Sequence, residues 1–296
     1  MSAVFPIRCR AAALVTMALV LALALAAFSF GAVAGAARAA SNPEPSYVAL
    51  GDSYSAGEGE PPFEAGTDVP GNFCHRSVHA YPAQYAASPG GQRFSFKSYA
   101  CSGATTDDFF HGGRASDTPN GQIAQVPASA TMVTLTLGGN DLGFVRLMRD
   151  CTTHDCTRDP DWSNLSQRID ALAPRLRSVY DGLHQQAPDA RVFVLGYPAI
   201  LSNVDQVSFC RDDIGLSAQE KDWLNGHLGH LNQVIKSQTE AAGATYVDVQ
   251  NAFQGHEVCT PEPWAHGWNR EHWRWSYHPN SRGHQALAEA LAGYAG

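Results

Sequence analysis

The fold is decided by the stretch Tyr47-Val48-Ala49-Leu50-Gly51-Asp52-Ser53-Tyr54-Ser55-Ala56-Gly57-Glu58-Gly59. Its first four residues are apolar, and they end abruptly in a glycine, an acid and a serine. A short apolar run bounded by turn signals is typical of a strand buried on both faces of a parallel sheet. Gly51 lets the backbone turn where the strand ends. Ser53 is therefore predicted at the carboxyl end of a buried strand, where open α/β sheets bind their ligands. The alternative is that Ser53 only caps the following helix.

Four further strands are predicted downstream, at residues 93–100, 132–137, 191–196 and 244–249. Helical patterns occur at residues 80–87, 165–186, 217–241 and 282–292. Pro174 falls inside the second of these helices and predicts a kink there. A capping box that runs from Ser217 to Glu220 predicts the start of the third helix. Strands that alternate with helices predict an α/β fold in which helices cover both faces of a parallel sheet.

The first 39 residues are predicted to be a signal peptide that is removed from the mature protein. Arg8 and Arg10 precede a long apolar run at residues 11–27, and Ala37-Arg38-Ala39 has the small-x-small pattern that signal peptidase accepts. A membrane anchor is the competing interpretation, because the apolar run approaches the length that spans a bilayer. The prediction is a secreted, extracellular protein without a stable membrane anchor, whose residues 40–296 form a single domain.

The mature chain is strongly acidic. The full sequence has 20 Lys and Arg against 28 Asp and Glu, and removal of the three arginines before residue 40 leaves a net charge of 17 − 28 = −11. Such a surface would repel the phosphates of nucleic acids and the headgroups of anionic lipids. The composition therefore argues against nucleic-acid binding and against a mechanism that depends on adhesion to anionic membranes.

Six cysteines remain in the mature chain: Cys74, Cys101, Cys151, Cys156, Cys210 and Cys259. An even number of cysteines in an exported chain predicts disulfides. We expect them to pair in chain order, the first with the second and so on, because each bond would then staple one loop beside the sheet. Zinc is the alternative at residues 151–156, which include His154, but a zinc site needs four ligands and no second Cys/His pair lies near.

Three predicted strand ends bring polar groups to one edge of the sheet. Ser53 follows the first strand, Gly103 the second and Asn140 the third. A serine hydroxyl that attacks an ester creates an oxyanion, which needs hydrogen-bond donors where its charge develops. The main-chain N–H groups of Ser53 and Gly103 and the side-chain amide of Asn140 are three such donors. The spacing predicts an oxyanion hole beside a nucleophilic serine.

A nucleophilic serine needs a base, and histidine is the usual one because its pKa lies near neutrality. Among the 12 histidines of the sequence, His278 lies in a turn immediately before the last predicted helix. Pro279 keeps it out of helical geometry, so that its ring can project across the strand edge. The alternative is an ordinary histidine in a surface loop.

These segments together resemble the SGNH (GDSL-type) hydrolases. The four sequence blocks of that superfamily are matched in order and spacing by Gly51-Asp52-Ser53-Tyr54-Ser55, Gly103, Gly138-Gly139-Asn140-Asp141 and His278-Pro279-Asn280. The secreted actinobacterial (Streptomyces-type) esterases and lipases are similar also in Asn72-Phe73-Cys74-His75-Arg76-Ser77, in Ala80-Tyr81-Pro82 and in six paired cysteines. The resemblance implies a three-layer α/β/α sandwich with a five-stranded parallel sheet in flavodoxin-like order. The Gly-x-Ser-x-Gly elbow of the α/β-hydrolases does not occur in the sequence.

The resemblance also implies the role of each site residue: Ser53 is the nucleophile, His278 is the base, and Ser53, Gly103 and Asn140 form the oxyanion hole. One position departs from much of the superfamily, in which an aspartate three residues before the histidine orients the imidazole. Here that position is Trp275. The secreted branch implies a main-chain carbonyl instead, and we expect that of Trp275, with Ser276 as the alternative. Glu271 or Asp248 could also approach the ring through the fold.

The expected function is that of a secreted serine ester hydrolase, an esterase or lipase that cleaves carboxylic esters, through a Ser-His dyad and an acyl-enzyme. Phospholipase A1 and carbohydrate acetylesterase are alternative activities, and a non-catalytic secreted binding module is the alternative outside the enzymes. We expect no metal and no organic cofactor, since His227 and His230 lie on adjacent helical turns without a third ligand. The protein is expected to act as a monomer on a small-molecule or lipid ester.

An aromatic segment precedes the predicted base and contains Trp264, Trp268, Trp273, Trp275 and Tyr277. One interpretation is a packed loop that Cys259 pins to the fold. The other is a substrate wall, because tryptophans near a site can face an acyl chain or stack on a sugar. The sequence leaves both interpretations open.

Overall fold

Five parallel strands form the central sheet of the computed structural model, which describes residues 44–113, 116–202 and 215–296. The strands are β1 (Ser46–Gly51), β2 (Ser95–Ser98), β3 (Met132–Thr136), β4 (Arg191–Leu195) and β5 (Thr245–Val247). Their order in the sheet is β2-β1-β3-β4-β5, and every neighbouring pair is parallel. The predicted flavodoxin-like order is confirmed.

Helices cover the sheet and complete the three layers. They are α1 (Ser53–Ala56), α2 (Tyr81–Ala87), α3 (Thr106–His111), α4 (Phe144–Thr153), α5 (Leu165–Ala171), α6 (Ala173–Gln186), α7 (Ala218–Ala241) and α8 (Ser281–Ala295). Short 3-10 turns occur at Ile123–Gln125, Asn140–Leu142, Cys156–Arg158, Pro160–Trp162 and Trp273–Trp275. Helix α8 packs on α2, whereas α7 packs on α5 and α6.

Burial of β1 explains its uninterrupted apolar sequence. Tyr47 to Leu50 are all buried, because β1 has a hydrogen-bonded neighbour on each side and helices above and below. The Tyr47 ring packs edge-on against the Tyr85 ring of α2 at a centroid distance of 5.7 Å. Its hydroxyl bonds to Thr134 Oγ1 at 2.8 Å, so the one polar atom of this side chain is satisfied in the core.

One predicted helix is divided in the structure. The pattern at residues 165–186 forms two helices, α5 and α6, that meet at Leu172. Pro174 lies in the first turn of α6 and has no N–H with which to continue the α5 hydrogen-bond ladder. Leu172 keeps right-handed helical angles, so the interruption is a kink of the kind that proline predicts.

Two of the predicted disulfides are present. Cys74 is bonded to Cys101, and Cys151 is bonded to Cys156. Cys259 is also disulfide-bonded, but Cys210, its predicted partner, lies outside the described residues, as does the predicted signal-peptide boundary at residues 39 and 40.

The chain from Glu44 to Gly296 forms one compact unit. No helix in the described part of the chain has the length and apolar character needed to cross a membrane.

Candidate active site

The turn after β1 sets the position of Ser53. Gly51 has a φ of +112°, and a Cβ atom there would lie 2.3 Å from the carbonyl oxygen of Thr136, so only glycine fits. Asp52 is the N-cap of α1, and its Oδ1 accepts a hydrogen bond from the Tyr54 N–H at 3.0 Å. Ser53 is thus the first residue of the helix and not its cap. Its hydroxyl is free for another role.

The Ser53 hydroxyl contacts the His278 imidazole. Ser53 Oγ lies 2.7 Å from His278 Nε2, and both residues are buried. On the other side of the ring, Nδ1 lies 3.1 Å from the main-chain oxygen of Ser276. A carbonyl oxygen can only accept, so Nδ1 carries the proton and Nε2 accepts the hydrogen bond from the serine. This tautomer suits a base that removes the serine proton.

The carbonyl at hydrogen-bond distance from the imidazole is that of Ser276, the alternative considered from the sequence, and the main chain of Trp275 also acts to raise the pKa of the ring. Trp275 O accepts the main-chain N–H of His278 at 3.2 Å. The intervening residue, Tyr277, has a φ of 63°, a left-handed conformation that is costly for an aromatic residue. Its N–H donates to His266 O at 3.0 Å and its carbonyl accepts the Tyr54 hydroxyl at 2.7 Å. These bonds hold the turn that directs the Ser276 carbonyl at the ring.

Burial and a nearby carboxylate have opposite effects on His278. Burial lowers the pKa of the imidazole below its ordinary 6.5, and the charge of Glu58 partly offsets this effect. Glu271 and Asp248, the carboxylates considered from the sequence, are both exposed on the surface. Glu58 follows the serine block directly, yet its approach to a residue near the other end of the chain has no signal in the sequence.

Two of the three predicted oxyanion donors, Gly103 and Asn140, lie where the loops after β2 and β3 touch. Asn140 Nδ2 donates to Ala104 O at 3.1 Å, which brings this amide next to Gly103. The amide has a second proton for another acceptor. Within residues 44–113, 116–202 and 215–296, no group accepts a hydrogen bond from the N–H of Ser53 or of Gly103. Three donors with spare capacity thus lie on the three strand ends.

A buried network holds the Asn140 loop against the serine turn. Tyr197 donates its hydroxyl proton to Asp52 Oδ2 at 2.5 Å and accepts the Gly139 N–H at 2.8 Å. Burial raises the pKa of Asp52 to about 7, because its effect exceeds that of the hydrogen bonds from Tyr197 and Tyr54, which lower the pKa. Tyr197 therefore links the ends of β1 and β3 through one side chain. Its position after β4 gave no indication of this role.

A large cavity opens beside the dyad. It has a volume of about 860 Å³ and is lined by His278 and Asn140 at one end. Helix α4 forms one wall with Phe144, Val145 and Met148. Side chains of four arginines, Arg146, Arg149, Arg270 and Arg274, also line it. The cavity is large and apolar enough for an acyl chain, and it also carries positive charge.

The aromatic segment divides between the cavity and the packing of its own loop. Trp268, Trp273 and Tyr277 line the cavity. Trp264, in contrast, stacks on His256 at 3.9 Å, and Trp275 stacks on His272 at 4.1 Å. Trp264 and Trp275 therefore pack the loop, whereas Trp268 and Trp273 face the cavity beside the dyad.

The three histidines considered as metal ligands, His154, His227 and His230, have other partners. His230 Nε2 lies 2.8 Å from Asp170 Oδ1, and His227 Nδ1 lies 2.9 Å from Trp223 O. His154, between the bonded cysteines, lies 2.8 Å from Asp159 Oδ2. Over the described ranges, no group of three or more His, Cys, Asp and Glu side chains is arranged to hold a metal ion.

Known proteins are similar to most of this chain. The sequence model of the GDSL-like Lipase/Acylhydrolase family matches residues 49–286. Lipase 1 of Streptomyces coelicolor is 35% identical over 245 residues, which cover 80% of this chain and 81% of that protein. The structure of an extracellular lipase from Streptomyces rimosus has a TM-score of 0.72 at 31% identity, covering 84% of this chain and 99% of the lipase. Phospholipase A1 from Streptomyces albidoflavus NA297 has a TM-score of 0.69 at 33% identity, with the same two coverages.

Proposed function

The chain belongs to the GDSL-like Lipase/Acylhydrolase family and is a carboxylic ester hydrolase, and we propose that Ser53 and His278 carry out its chemistry as a dyad. The observation that carries this proposal is the 2.7 Å contact between Ser53 Oγ and His278 Nε2. A hydroxyl and a neutral imidazole in hydrogen-bond contact are the arrangement by which a serine is activated. The Ser276 carbonyl keeps the imidazole in the tautomer that this step requires.

The reaction proceeds through an acyl-enzyme. Ser53 Oγ forms a bond to the ester carbonyl carbon as its proton passes to His278 Nε2. The tetrahedral intermediate collapses, the bond to the alcohol oxygen breaks, and His278 returns the proton to the leaving alcohol. Water then attacks the acyl-enzyme with His278 again as the base, and the carboxylic acid is released with Ser53 regenerated. No redox step occurs.

Asn140, Gly103 and the Ser53 N–H are proposed to bind the oxyanion of this intermediate. Replacement of Asn140 by alanine is expected to lower kcat by about 10²–10³-fold with little change in KM, since one donor to the developing charge is removed. Initial rates on p-nitrophenyl butyrate measure both constants. Asn164→Ala is the matched control, because Asn164 is exposed at the start of α5 and its side chain makes no capping bond. A reduction in kcat of less than about threefold for Asn140→Ala would exclude this role.

The proposed base predicts the pH dependence of the activity. His278 acts only when neutral, and burial lowers its pKa below 6.5. Activity is therefore expected to be lost as the pH falls through a value below 6.5, and to be fully present at neutral pH. The measurement is kcat/KM between about pH 4 and about pH 9. An acid limb with its midpoint above 7 would contradict the assignment, since it would require a base of higher pKa.

We propose an esterase or lipase that accepts acyl chains of medium or greater length. The apolar wall of α4 and the faces of Trp268 and Trp273 support this substrate class, because they offer an acyl chain a dry contact surface beside the dyad. The test compares kcat/KM for p-nitrophenyl acetate, butyrate, octanoate and palmitate. A preference for acetate over octanoate, together with turnover of acetylated xylan, would favour a carbohydrate acetylesterase instead.

A second candidate activity is that of a phospholipase A1. The arginines that line the cavity favour it, because guanidinium groups bind phosphate in a bidentate manner. Arg146 and Arg149 lie near Asp150, whereas Arg270 and Arg274 lie on the opposite, aromatic wall. Parallel assays on mixed micelles of phosphatidylcholine and of a neutral triacylglycerol separate the two candidates. Loss of only the phospholipid activity in Arg270→Gln would support the second.

We also propose that the protein is secreted and acts as a monomer. The proposal of secretion rests on residues 1–39, with their arginines, apolar run and Ala37-Arg38-Ala39 end. The N-terminal sequence of protein recovered from the culture medium tests it, since cleavage after Ala39 would leave Ala40 first. Sedimentation of the purified protein tests the oligomeric state.

A further inference from the structure

A buried ion pair lies beside the dyad and takes no part in the reaction as described above. Glu58 Oε2 lies 2.7 Å from His75 Nδ1, and the two side chains are only 3% and 8% exposed. Taking two charges out of water costs free energy that a single contact seldom returns in full. The pair therefore needs an explanation beyond the stability of the fold.

Glu58 and His75 each favour the charged form of the other. Burial acts to raise the pKa of Glu58, but the hydrogen bond to His75 and the charge of His278 outweigh it, so that the pKa lies below its usual range. Burial acts to lower the pKa of His75, but the bond to Glu58 and its charge raise it above 6.5. Asp68 Oδ1 also faces His75, 3.2 Å from Nε2. The contact between them therefore favours the carboxylate form of Glu58.

The second oxygen of this carboxylate is buried. Among the described residues, Glu58 Oε1 and the hydroxyl oxygen of Ser102, the residue before Gly103, are both buried without a hydrogen bond of ordinary geometry, and the Ser102 hydroxyl is near enough to lower the pKa of Glu58. A buried carboxylate is costly to keep charged, and native structures keep such groups chiefly where their charge has a purpose. The reaction places a positive charge on the His278 imidazole, and the charges of Glu58 and His278 favour each other.

The segment that carries Glu58 contacts the turns that hold both members of the dyad. The Glu58 N–H donates to Ser53 O at 3.1 Å. A Cβ atom on Gly59 would lie 3.2 Å from Trp275 Cβ, in the turn that leads to His278. Glu60 Oε1 bonds to His266 Nε2 at 2.8 Å, and the His266 N–H donates to His278 O at 2.9 Å. Glu58 therefore has a fixed position relative to both Ser53 and His278.

We propose that Glu58 is a positioning residue whose buried carboxylate, clamped by His75, stabilises the positive charge that His278 acquires during acyl transfer. The inference rests on the proposed dyad. In other serine hydrolases one aspartate both orients the imidazole and stabilises its charge; here these two tasks are divided between the Ser276 carbonyl and Glu58. The Ser276 carbonyl fixes the tautomer of the ring but carries no charge. Glu58 supplies the charge from a different segment of the chain. His75 keeps that charge from being neutralised by a proton.

Several other titratable groups face this site. His284 of α8 is fully buried, and burial together with the charge of His278 lowers its pKa to about 3. His266, which faces His278 from the neighbouring strand-like segment, is bonded to Glu60. Arg274 acts on His75 from the aromatic segment, and Asp68 faces the same ring from the solvent side. These groups set the background potential, and all of them are retained in Glu58→Gln and Glu58→Asp.

Glu58→Gln removes the charge and keeps the shape of the side chain and its capacity to accept from His75. We expect the acid limb of kcat/KM to move about one pH unit lower, because an opposite charge no longer favours the imidazolium. We expect kcat on the plateau to fall about tenfold, which corresponds to one unit of lost imidazolium stabilisation. The pKa of the His278 ring, followed by NMR in the full chain, should fall by a similar amount.

Two further variants separate this role from a structural one. Glu58→Asp retains the charge and should bring the acid limb back toward that of the wild-type protein. Asp68→Asn removes a carboxylate that faces His75 and whose side chain is 58% exposed. This variant should leave the acid limb of kcat/KM unchanged, because solvent screens that charge. A purely structural Glu58 would lower kcat or the melting temperature in Glu58→Gln without moving the limb or the ring pKa, and that result would overturn the inference.

The ring titration needs no turnover, so it tests the charge coupling separately from the proposed function. A wild-type protein that hydrolyses esters, with an unchanged His278 pKa in Glu58→Gln, would refute only the role of Glu58. Inactivity of the wild-type protein on every ester would refute the proposed dyad instead, and with it the catalytic part of this inference.

Discussion

Replacement of Ser53 by alanine is expected to lower kcat/KM for p-nitrophenyl esters by about 10⁴–10⁶-fold, to the rate that binding and the remaining donors sustain. The substitution removes the oxygen that lies 2.7 Å from His278 Nε2. It should not disturb folding, because Asp52 caps α1. In the part of the chain that the structure describes, the Ser53 hydroxyl makes no other hydrogen bond. The loss would therefore be a loss of chemistry and not of structure.

Initial rates and covalent labelling with a fluorophosphonate measure this effect independently. The wild-type protein should label and Ser53→Ala should not. Ser178→Ala is the control, because Ser178 is an exposed helical serine whose hydroxyl donates only to Pro174 O, and it should label and turn over normally. A Ser53→Ala protein that still labels, or keeps more than about a tenth of the activity, would mean that the nucleophile is another residue.

The second large effect is expected for His278→Ala. Loss of the base should lower kcat/KM by about 10⁴–10⁶-fold, as for the serine, because the two residues act as a unit and their effects are not additive. The remaining activity should lose the acid limb, since the group that titrates there is gone. Binding of a non-hydrolysable ester analogue should be retained, because the apolar walls of the cavity are unchanged.

His272→Ala provides the matched control for this variant. His272 lies in the same loop, is exposed, and stacks on Trp275 at 4.1 Å without lining the cavity. Its removal should change kcat/KM by less than about threefold. Comparable losses in the two variants would indicate that the loop as a whole, and not the imidazole of His278, is required.

Much of the fold follows from local pattern. The buried run at Tyr47 to Leu50, the capping box at Ser217 and the kink at Pro174 each correspond to an element that the structure contains. The ends of strands were harder to predict, since the run at residues 244–249 forms only the three-residue strand Thr245–Val247. Strand ends depend on where neighbouring strands stop pairing, and this is a property of the sheet and not of one segment.

The site was predictable as far as its residues have their own motifs. Ser53, Asn140 and His278 each follow a recognisable turn, and the structure places Ser53 and His278 in contact. The sequence narrowed the orienting carbonyl to those of Trp275 and Ser276, but it could not choose between them, because the geometry depends on the left-handed φ of 63° at Tyr277. A tyrosine gives no hint of that conformation. Glu58 and Tyr197 act through tertiary contacts, and these have no signature in their neighbouring residues.

The bond between Cys74 and Cys101 makes the site dependent on the redox state of the compartment in which the chain folds. Cys74 precedes His75, which clamps Glu58, and Cys101 lies two residues before Gly103, so one cross-link ties the His75 segment to the Gly103 loop. Closing a loop of this length is worth about 3–4 kcal/mol in the entropy model of cross-links. The same polypeptide made in a reducing cytoplasm would lack this restraint, and its yield of competent enzyme would depend on oxidative refolding after purification.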